Sequence, residues 1–310
     1  MKKFDITGVR KLKNKNSGFI AVIVSAIIFG SMPLLAKIIY ANGGNAISLI
    51  FYRFFLSLPV LYFLGRRNKE EDMRISRNEL KNLIIVSIFG YSATAILLFL
   101  SYNYISTGMA TTIHFGYPIF VMLGGIMFYK DRPNFLKILC VIFCTIGIVL
   151  FGKNAGGNNI MGIIVAFISG ITYSFYILFI DKSGLKNMYP FKLTFYLCLI
   201  SSFAVFIYSL ITDTFTMNLT LLGWILTALL SIMVSVGAVS LFQYGIGAVG
   251  SQNTAIFSTF EPVTSVIIGI IAFNEVFDLR TFMGSILILA AVVITALSEK
   301  FKEKLNSELK

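Results

Sequence analysis

The sequence has 310 residues, of which 57% are hydrophobic and 13% are charged. Soluble domains carry about 25% charged residues, roughly twice the share found here. Together with a mean hydropathy of +0.84, this composition excludes a water-soluble globular protein and indicates an integral membrane protein. The net charge of +12 is compatible with nucleic-acid binding, but the cations collect in alternate loops between apolar segments, so we predict no nucleic-acid partner.

Ten apolar segments fit the length of about 20 helical residues that one crossing of the hydrocarbon core requires. The alternating pattern of membrane strands is absent, so the backbone polar groups must be satisfied within helices. The predicted fold class is an all-α integral membrane protein with ten transmembrane helices. In chain order the segments lie near 18–41, 46–64, 80–101, 107–129, 134–152, 160–180, 191–211, 222–243, 251–273 and 281–298.

The cations also indicate the orientation of the chain. Of the 26 Lys and Arg residues, 22 lie in the N-terminal tail, in every second loop or after residue 299, whereas the other loops hold only Lys153 and Arg280. Cytoplasmic loops of membrane proteins carry such an excess of Lys and Arg. We therefore predict that both termini face the cytoplasm, as an even number of crossings requires.

A repeat relates the two halves of the chain. Aligning Pro118 with Pro262 fixes an offset of 144 residues, which also places Gly18 on Gly162. Each half has five helices, an odd number, so the second half inserts inverted, as in many secondary transporters whose substrate site lies at the midplane. The predicted organisation is an N-terminal tail 1–17, a first five-helix repeat 18–152, a second five-helix repeat 160–298 and a C-terminal tail 299–310.

Three stretches carry a family resemblance: "FYRFFLSLPV" in the second segment, "GYPIFVMLGGIMFYKD" in the fourth and "FEPVTSVIIGIIAFNE" in the ninth. Over residues 17–298 the chain resembles the EamA-type ten-helix members of the drug/metabolite transporter superfamily. It departs from them at Lys130-Asp131, where a Gly-Glu pair is common. The resemblance implies a carrier of the cytoplasmic (inner) membrane, often an exporter of amino acids or other small metabolites, whose cavity is lined mainly by helices 1, 3, 4, 6, 8 and 9.

Other function classes find little support in the motifs. A phosphate-binding G-x-x-x-x-G-K-[ST] loop is absent, so transport would run on a gradient or be passive. A single histidine and the lack of H-E-x-x-H or G-x-S-x-G disfavour an enzyme. We predict a secondary transporter, coupled to protons or else a facilitator without coupling, with a non-transporting receptor or assembly protein as the alternative. The expected partners are a small-molecule substrate and the lipid bilayer, and the sequence is compatible with a homodimer. No cofactor and no metal are expected.

Glu261 is the most unusual residue of the ninth segment. On a helix it shares one stripe with Thr254, Ser258 and Ser265, and Pro262 leaves the carbonyl of Ser258 without its usual partner. In lipid each of these polar groups would cost several kcal/mol, so we expect them to face the protein interior or a water-filled cavity. Glu261 is then a proton carrier or a counter-charge for a cationic substrate group, or else a structural carboxylate that caps freed amides.

The offset of 144 pairs this stripe with a second one in the first repeat. Ser258 aligns with His114 and Glu261 aligns with Tyr117, and Pro118 frees the carbonyl of His114. His114 is the only histidine, the residue type whose unperturbed pKa lies closest to physiological pH, so it is either a second proton-coupling group or a hydrogen-bonded structural histidine. Pro33 is predicted as a further helix break.

The sixth segment carries a ladder of hydroxyl and aromatic side chains. These side chains would either bind an organic substrate or hold neighbouring helices together, as hydroxyl groups commonly do in bilayers. The ladder comprises Ser169, Thr172, Tyr173 and Tyr176, and the offset adds the equivalent pair Tyr91 and Ser235 from segments three and eight.

The remaining charges of the membrane segments have less specific interpretations. Arg53 would bind a substrate carboxylate or, as we favour because helix 2 is peripheral in relatives, brace the fold as a structural charge. Lys37 and Asp181 are repeat equivalents near helix ends and are interpreted as gate or boundary residues. "GIGAVG" at 245–250 lacks a preceding strand, so it predicts an inter-helix turn, and the charged loop 65–80 predicts an amphipathic surface helix.

Overall fold

The computed structural model describes residues 15–67, 72–101, 104–105, 110, 113–130, 135–151, 160–273 and, in part, 279–294. Every regular element in those residues is helical, which confirms the all-α fold class. Six helices are long and apolar enough to cross a membrane: α1 (Lys15–Ala41), α2 (Ala46–Arg67), α3 (Arg77–Ser101), α6 (Ile160–Lys182), α7 (Pro190–Ile211) and α8 (Leu221–Val249).

Shorter helices occupy the other four predicted segments. They are α4 (Tyr117–Tyr129), α5 (Phe135–Phe151), the two pieces α9a (Ser251–Ser258) and α9b (Phe260–Phe273), and α10 (Phe282–Ala291). Large apolar side chains point outward along these and the longer helices, as lipid contact requires. Examples are Phe63, Phe128, Val149, Phe203, Leu221 and Ile271.

The two repeats are interlocked rather than side by side. Helix α1 packs on α8 and α9 of the second repeat, and its equivalent α6 packs on α3 and α4 of the first. A Cβ on Gly18 would lie 2.6 Å from the Cβ of Ala248, and a Cβ on Gly162 would lie 2.7 Å from the Cβ of Tyr104. The offset of 144 makes Gly162 the equivalent of Gly18 and Ala248 the equivalent of Tyr104, so the two contacts are the same contact seen from opposite repeats. The repeats are therefore related by a pseudo-two-fold axis.

Two π-helical segments lie at equivalent places in the repeats. One runs from Val86 to Ser92 within α3, and the other runs from Ser231 to Ala238 within α8. π-helical turns are rare in proteins, and those that occur are often found at functional sites. Neither segment was expected from the sequence, because nothing in its hydrophobic pattern distinguishes a π-turn from an α-turn.

Helix breaks also occur in equivalent places. Helix α4 begins at Tyr117 after a turn at residues 115–116, and the turn at Thr259 separates α9a from α9b. Helix α1, by contrast, runs through Pro33 without interruption, so the break expected there is absent. A missing amide hydrogen bond is tolerated within a transmembrane helix, and neighbouring α8 and α9 hold α1 on either side.

Two expectations about connections are wrong. The sequence 245–250 does not form a turn: helix α8 continues to Val249, and only Gly250, with φ of 81°, leaves it. Gly245 is instead a close helix contact, since a Cβ there would overlap with Val22 Cγ2. In the charged loop, residues 72–76 are not helical, because Lys192 and Tyr196 of α7 donate hydrogen bonds to the carbonyls of residues 74 and 73.

Candidate functional site

A cavity of about 90 Å3 lies between the two repeats. One water needs about 10–15 Å3 by the same measure, so the cavity holds several waters or a small polar solute. Its walls are largely aromatic and aliphatic, with a small number of polar groups, as is usual for a ligand site. Those polar groups are Arg53, Tyr91, Thr94, His114, Tyr173, Tyr176 and Glu261.

The lining follows the repeat. Four pairs of lining residues are separated by 144 positions, so each repeat contributes the same places to the wall. The cavity therefore lies on the pseudo-two-fold axis, where the interlocked helices of both repeats meet. The pairs are Phe29 with Tyr173, Met32 with Tyr176, Ala95 with Val239, and Leu98 with Phe242.

Tyrosine rings cover one side of the cavity. Tyr176 stacks on Tyr91 and Tyr173 with centroid distances of 5.3 and 5.6 Å, and Tyr173 meets Tyr117 edge to face at 4.7 Å. Gln243 Nε2 donates to the hydroxyl of Tyr176 and fixes that ring. These offset and edge contacts are the favoured arrangements of aromatic rings, so the wall is held by its own packing.

The side chains of the α6 ladder occupy two kinds of position, at helix contacts and in the cavity wall. Thr172 Oγ1 lies 2.8 Å from Thr94 Oγ1 of α3, and Ser169 Oγ lies 2.9 Å from His114 Nδ1, so both hydroxyls join α6 to the first repeat. Tyr173, one residue further along α6, lines the cavity. The hydroxyl groups of α6 thus hold neighbouring helices together, and its tyrosine rings form part of the cavity wall.

The contact with Ser169 fixes how His114 uses its two nitrogens. The Ser169 hydroxyl donates its only hydrogen to the carbonyl of Ala166, at 2.6 Å, so it accepts from His114 Nδ1–H. Nδ1 is therefore the protonated nitrogen of the neutral ring, and Nε2 is left as the acceptor. His114 also packs against Tyr173 with ring centroids 5.3 Å apart.

Glu261 lies in the first turn of α9b and lines the cavity. Its carbonyl would be 2.8 Å from a Cβ on Gly30, so only a glycine lets α1 approach the broken helix this closely. Its carboxyl group is near Tyr117 and Tyr173. In the described part of the chain no cation pairs with it and no backbone amide is capped by it.

Arg53 enters the same cavity from α2. Its carbonyl accepts hydrogen bonds from Ser231 Oγ at 2.7 Å and Ser235 Oγ at 3.0 Å, both in the π-helical segment of α8. The guanidinium donates to the sulfur of Met32 at 3.2 Å and lies 4.7 Å from the ring centroid of Phe54. The main chain of this residue, and not its charge, is what connects the two helices.

The other expected site residues either lie behind the cavity wall or have side chains outside the described part of the structure. Ser235 is held by Arg53, while Ser258 Oγ donates to the carbonyl of Thr254, and Tyr117 is fully buried behind Tyr173. Pro118 lies buried in the first turn of α4. The side chains of Pro33, Pro262 and Ser265 lie outside the described part of the structure.

Sequence reasoning did not select Met32, Thr94, Phe99, Val239 or Phe242, which also line the cavity. The repeat offers a signal for most of them, because three lie 144 positions from another lining residue. Within the described residues no three His, Cys, Asp or Glu side chains are grouped as a metal site requires.

Asp181, at the end of α6, makes hydrogen bonds and an ion pair at one end of the bundle. Its Oδ2 accepts from Ser251 Oγ at 2.7 Å and from the Ser251 amide at 3.3 Å, and its Oδ1 pairs with Lys186 Nζ at 2.8 Å. These bonds join α6 to the start of α9a. The side chain of Lys37, the repeat equivalent of Asp181, lies outside the described part of the chain.

Comparison with known proteins agrees with this arrangement. The chain is 24% identical to the uncharacterized transporter sll1319 of Synechocystis over 86% of this chain and 89% of that protein. It is 29% identical to an uncharacterized transporter of Archaeoglobus fulgidus over 76% and 82%, and 21% identical to the uncharacterized transporter YxxF of Bacillus subtilis over 96% and 94%. A solved crystal structure with 13% identity superposes with a TM-score of 0.77 over 91% of this chain and 98% of the other, which shows the same fold.

The profile of one family matches both halves of the chain, once over residues 16–152 and once over residues 160–297. Together these matches cover nearly the whole sequence, and they agree with the apolar helices and the repeat-related contacts described above. The chain is a multi-pass membrane protein, and it belongs to the EamA-like transporter family.

Proposed function

We propose that the protein is a secondary transporter that exports small organic metabolites, such as amino acids, across the cytoplasmic membrane by alternating access. The observation that carries this proposal is the cavity on the pseudo-two-fold axis, to which both repeats contribute equivalent residues. Two inverted repeats around one site supply two related conformations, each open to one side. Both termini lie in the cytoplasm in this proposal.

The contact of Asp181 with Ser251 supports a closed cytoplasmic end. With cytoplasmic termini, the end of α6 and the start of α9a lie on the cytoplasmic side, and the hydrogen bonds there keep the two helices together. In the alternate conformation this contact opens and the corresponding ends of the repeat-equivalent helices close. Solute bound in the cavity then exchanges with the opposite compartment.

Glu261 is the proposed proton-coupling residue. The groups near its carboxyl are Tyr117 and Tyr173, His114 and Arg53 are also in the cavity wall, and the carboxyl has no cation partner among the described residues. An unpaired carboxylate at membrane depth is costly, and protonation removes that cost. Proton uptake from outside and release inside would therefore accompany solute movement outward.

The test is transport by purified protein in proteoliposomes, with a pH gradient imposed and with counterflow exchange measured separately. We expect Glu261→Gln to abolish flux driven by the pH gradient while counterflow exchange continues, since exchange needs binding but no net proton movement. Asp213→Asn is the matched control, because Asp213 is an exposed carboxylate in a loop with φ of 50°, which asparagine also adopts. Unchanged gradient dependence in Glu261→Gln would exclude Glu261 as the coupling site.

A facilitator without proton coupling is the second candidate. It is favoured by the position of Glu261 in the first turn of α9b, where the helix dipole stabilises a permanently charged carboxylate. Wild-type flux would then follow the solute gradient alone, at the same rate with or without a pH gradient. Failure of the purified protein to move any solute would instead favour a receptor or assembly role.

A further inference from the structure

Arg53 presents a buried charge without a matching acceptor. The residue is 7% exposed, and its Nε–H has no hydrogen-bond partner in the described part of the chain. No carboxylate among those residues lies within ion-pair distance of it. Among the described residues, the side-chain acceptor to which the guanidinium donates with normal geometry is the sulfur of Met32, which is a weak acceptor.

A purely structural role accounts poorly for this guanidinium. The hydrogen bonds that brace α2 against α8 are made by the carbonyl of Arg53, and any residue supplies that carbonyl. The contact with the Phe54 ring stabilises the guanidinium much less than burying a charge without a partner costs. The guanidinium therefore has donors that are ready for a ligand.

A second unsatisfied donor lies next to the first. The hydroxyl of Tyr91 is buried beside the guanidinium and makes no hydrogen bond of normal geometry to a described residue. Both groups pack on Phe54, whose ring centroid is 4.9 Å from that of Tyr91, and both line the cavity. A smaller cavity of about 10 Å3 continues past Met32 and Phe99 on the other side of Arg53.

We propose that Arg53, with the Tyr91 hydroxyl, binds a carboxylate group of the transported solute. The planar fork of a guanidinium matches the two oxygens of a carboxylate, and the phenolic hydroxyl adds a further donor. The lining of the same cavity also offers acceptors, namely the Glu261 carboxyl and His114 Nε2. The inferred solute class is a small molecule with a carboxylate at one end and a donor, such as an ammonium or hydroxyl, at the other.

This inference rests on the proposed transport function, and its first test uses the wild-type protein alone. A panel of L-amino acids and of hydroxy acids, each with its carboxamide, is added to detergent-purified protein, and the midpoint of thermal unfolding is recorded. Ligands that bind the folded state raise the midpoint. We expect at least one acid to stabilise the protein with an affinity at least tenfold higher than that of its amide.

Equal stabilisation by acids and amides, or stabilisation by no acid in the panel, would overturn the assignment of Arg53. Transport is measured separately in proteoliposomes loaded with a mixture of neutral, cationic and carboxylate solutes. Movement of only non-carboxylate solutes would leave the proposed transport function standing while contradicting the inference. Movement of none would count against the transport function itself.

The second test separates binding from bracing with three variants. Arg53→Gln removes the charge, Arg53→Lys keeps the charge but loses the fork, and Arg66→Gln is the control, since Arg66 lies on the same helix over the ring of Tyr62 but is exposed. We expect the acid-to-amide preference to fall about tenfold in Arg53→Lys and to vanish in Arg53→Gln. It stays unchanged in Arg66→Gln.

A merely structural role predicts a different result. If Arg53 only braces the fold, its variants will show a lower yield or a lower thermal midpoint, while their ratio of acid to amide affinity will equal that of the wild type. That outcome would contradict the proposal. If Arg53→Gln does not fold, the comparison of Arg53→Lys with the wild type still decides, because Arg53→Lys retains the buried charge and most of the side-chain volume.

Discussion

The breaks in α4 and α9 lie at equivalent positions of the two repeats but carry different side chains. In the first repeat the break presents His114 and Tyr117, and in the second it presents Ser258 and Glu261. The backbone is thus repeated, whereas the titratable groups are not. In the proposed alternating-access cycle the repeated backbone would supply two related conformations, while the unequal side chains would make the two broken helices chemically different.

The shared features are those that packing dictates. The π-helical segments of α3 and α8 and the glycine contacts of α1 and α6 recur with the offset of 144. The residues that break the symmetry are Arg53, His114 and Glu261, whose equivalents are Leu197, Ser258 and Tyr117. Each of the three lines the cavity, so the asymmetry is concentrated where a solute would bind.

The largest expected effect comes from the symmetric glycine contacts. Gly18→Val and Gly162→Val should each destabilise the protein by about 3 kcal/mol, because a Cβ at either site falls within 3.0 Å of two side-chain atoms on the other repeat. Unfolding in detergent, followed by circular dichroism, measures the loss. The two losses should agree closely if the contacts are equivalent.

Gly237→Ala is the control for these variants, since a Cβ there meets its nearest atoms at 3.7 Å, an ordinary contact. We expect its unfolding midpoint to stay near that of the wild type. A large loss in only one of the two glycine variants would show that the repeats do not share this interface, and would weaken the argument for a pseudo-two-fold axis.

An intermediate effect is expected at the contact of Asp181 with Ser251. Asp181→Asn should weaken the charged hydrogen bonds to Ser251 by about 1.5 kcal/mol, and so should raise the rate of amide hydrogen exchange in the first turn of α9a about tenfold. Mass spectrometry of peptides covering 251–258 reports the exchange. Faster exchange in Asp213→Asn as well, or unaltered exchange in Asp181→Asn, would argue against a closing role for Asp181.

The fold was predictable from the sequence because length, apolarity and an internal offset determine helices, their number and their pairing. The cavity was predictable only in part. Tyr173 and Glu261 stand out as polar residues in apolar segments, whereas Phe29 and Phe242 look like any other lipid-facing or core residue. For Arg53 the sequence favours a brace, because a sequence does not show whether a charge finds a partner in the folded chain.

The smallest effect distinguishes two serines that occupy the same place in the repeats. Ser25 Oγ donates to the carbonyl of Ala238 at 2.8 Å, while its equivalent Ser169 accepts from His114. Ser25→Ala and Ser169→Ala should each cost about 0.6 kcal/mol of stability, the usual value for such bonds within membranes. Only Ser169→Ala should also alter transport, since it frees the His114 ring to rotate within the cavity, and the pH dependence of flux in proteoliposomes records the change. An equal change of flux in both variants would mean that these serines act through helix packing alone, and that the chemical difference between the repeats does not extend to His114.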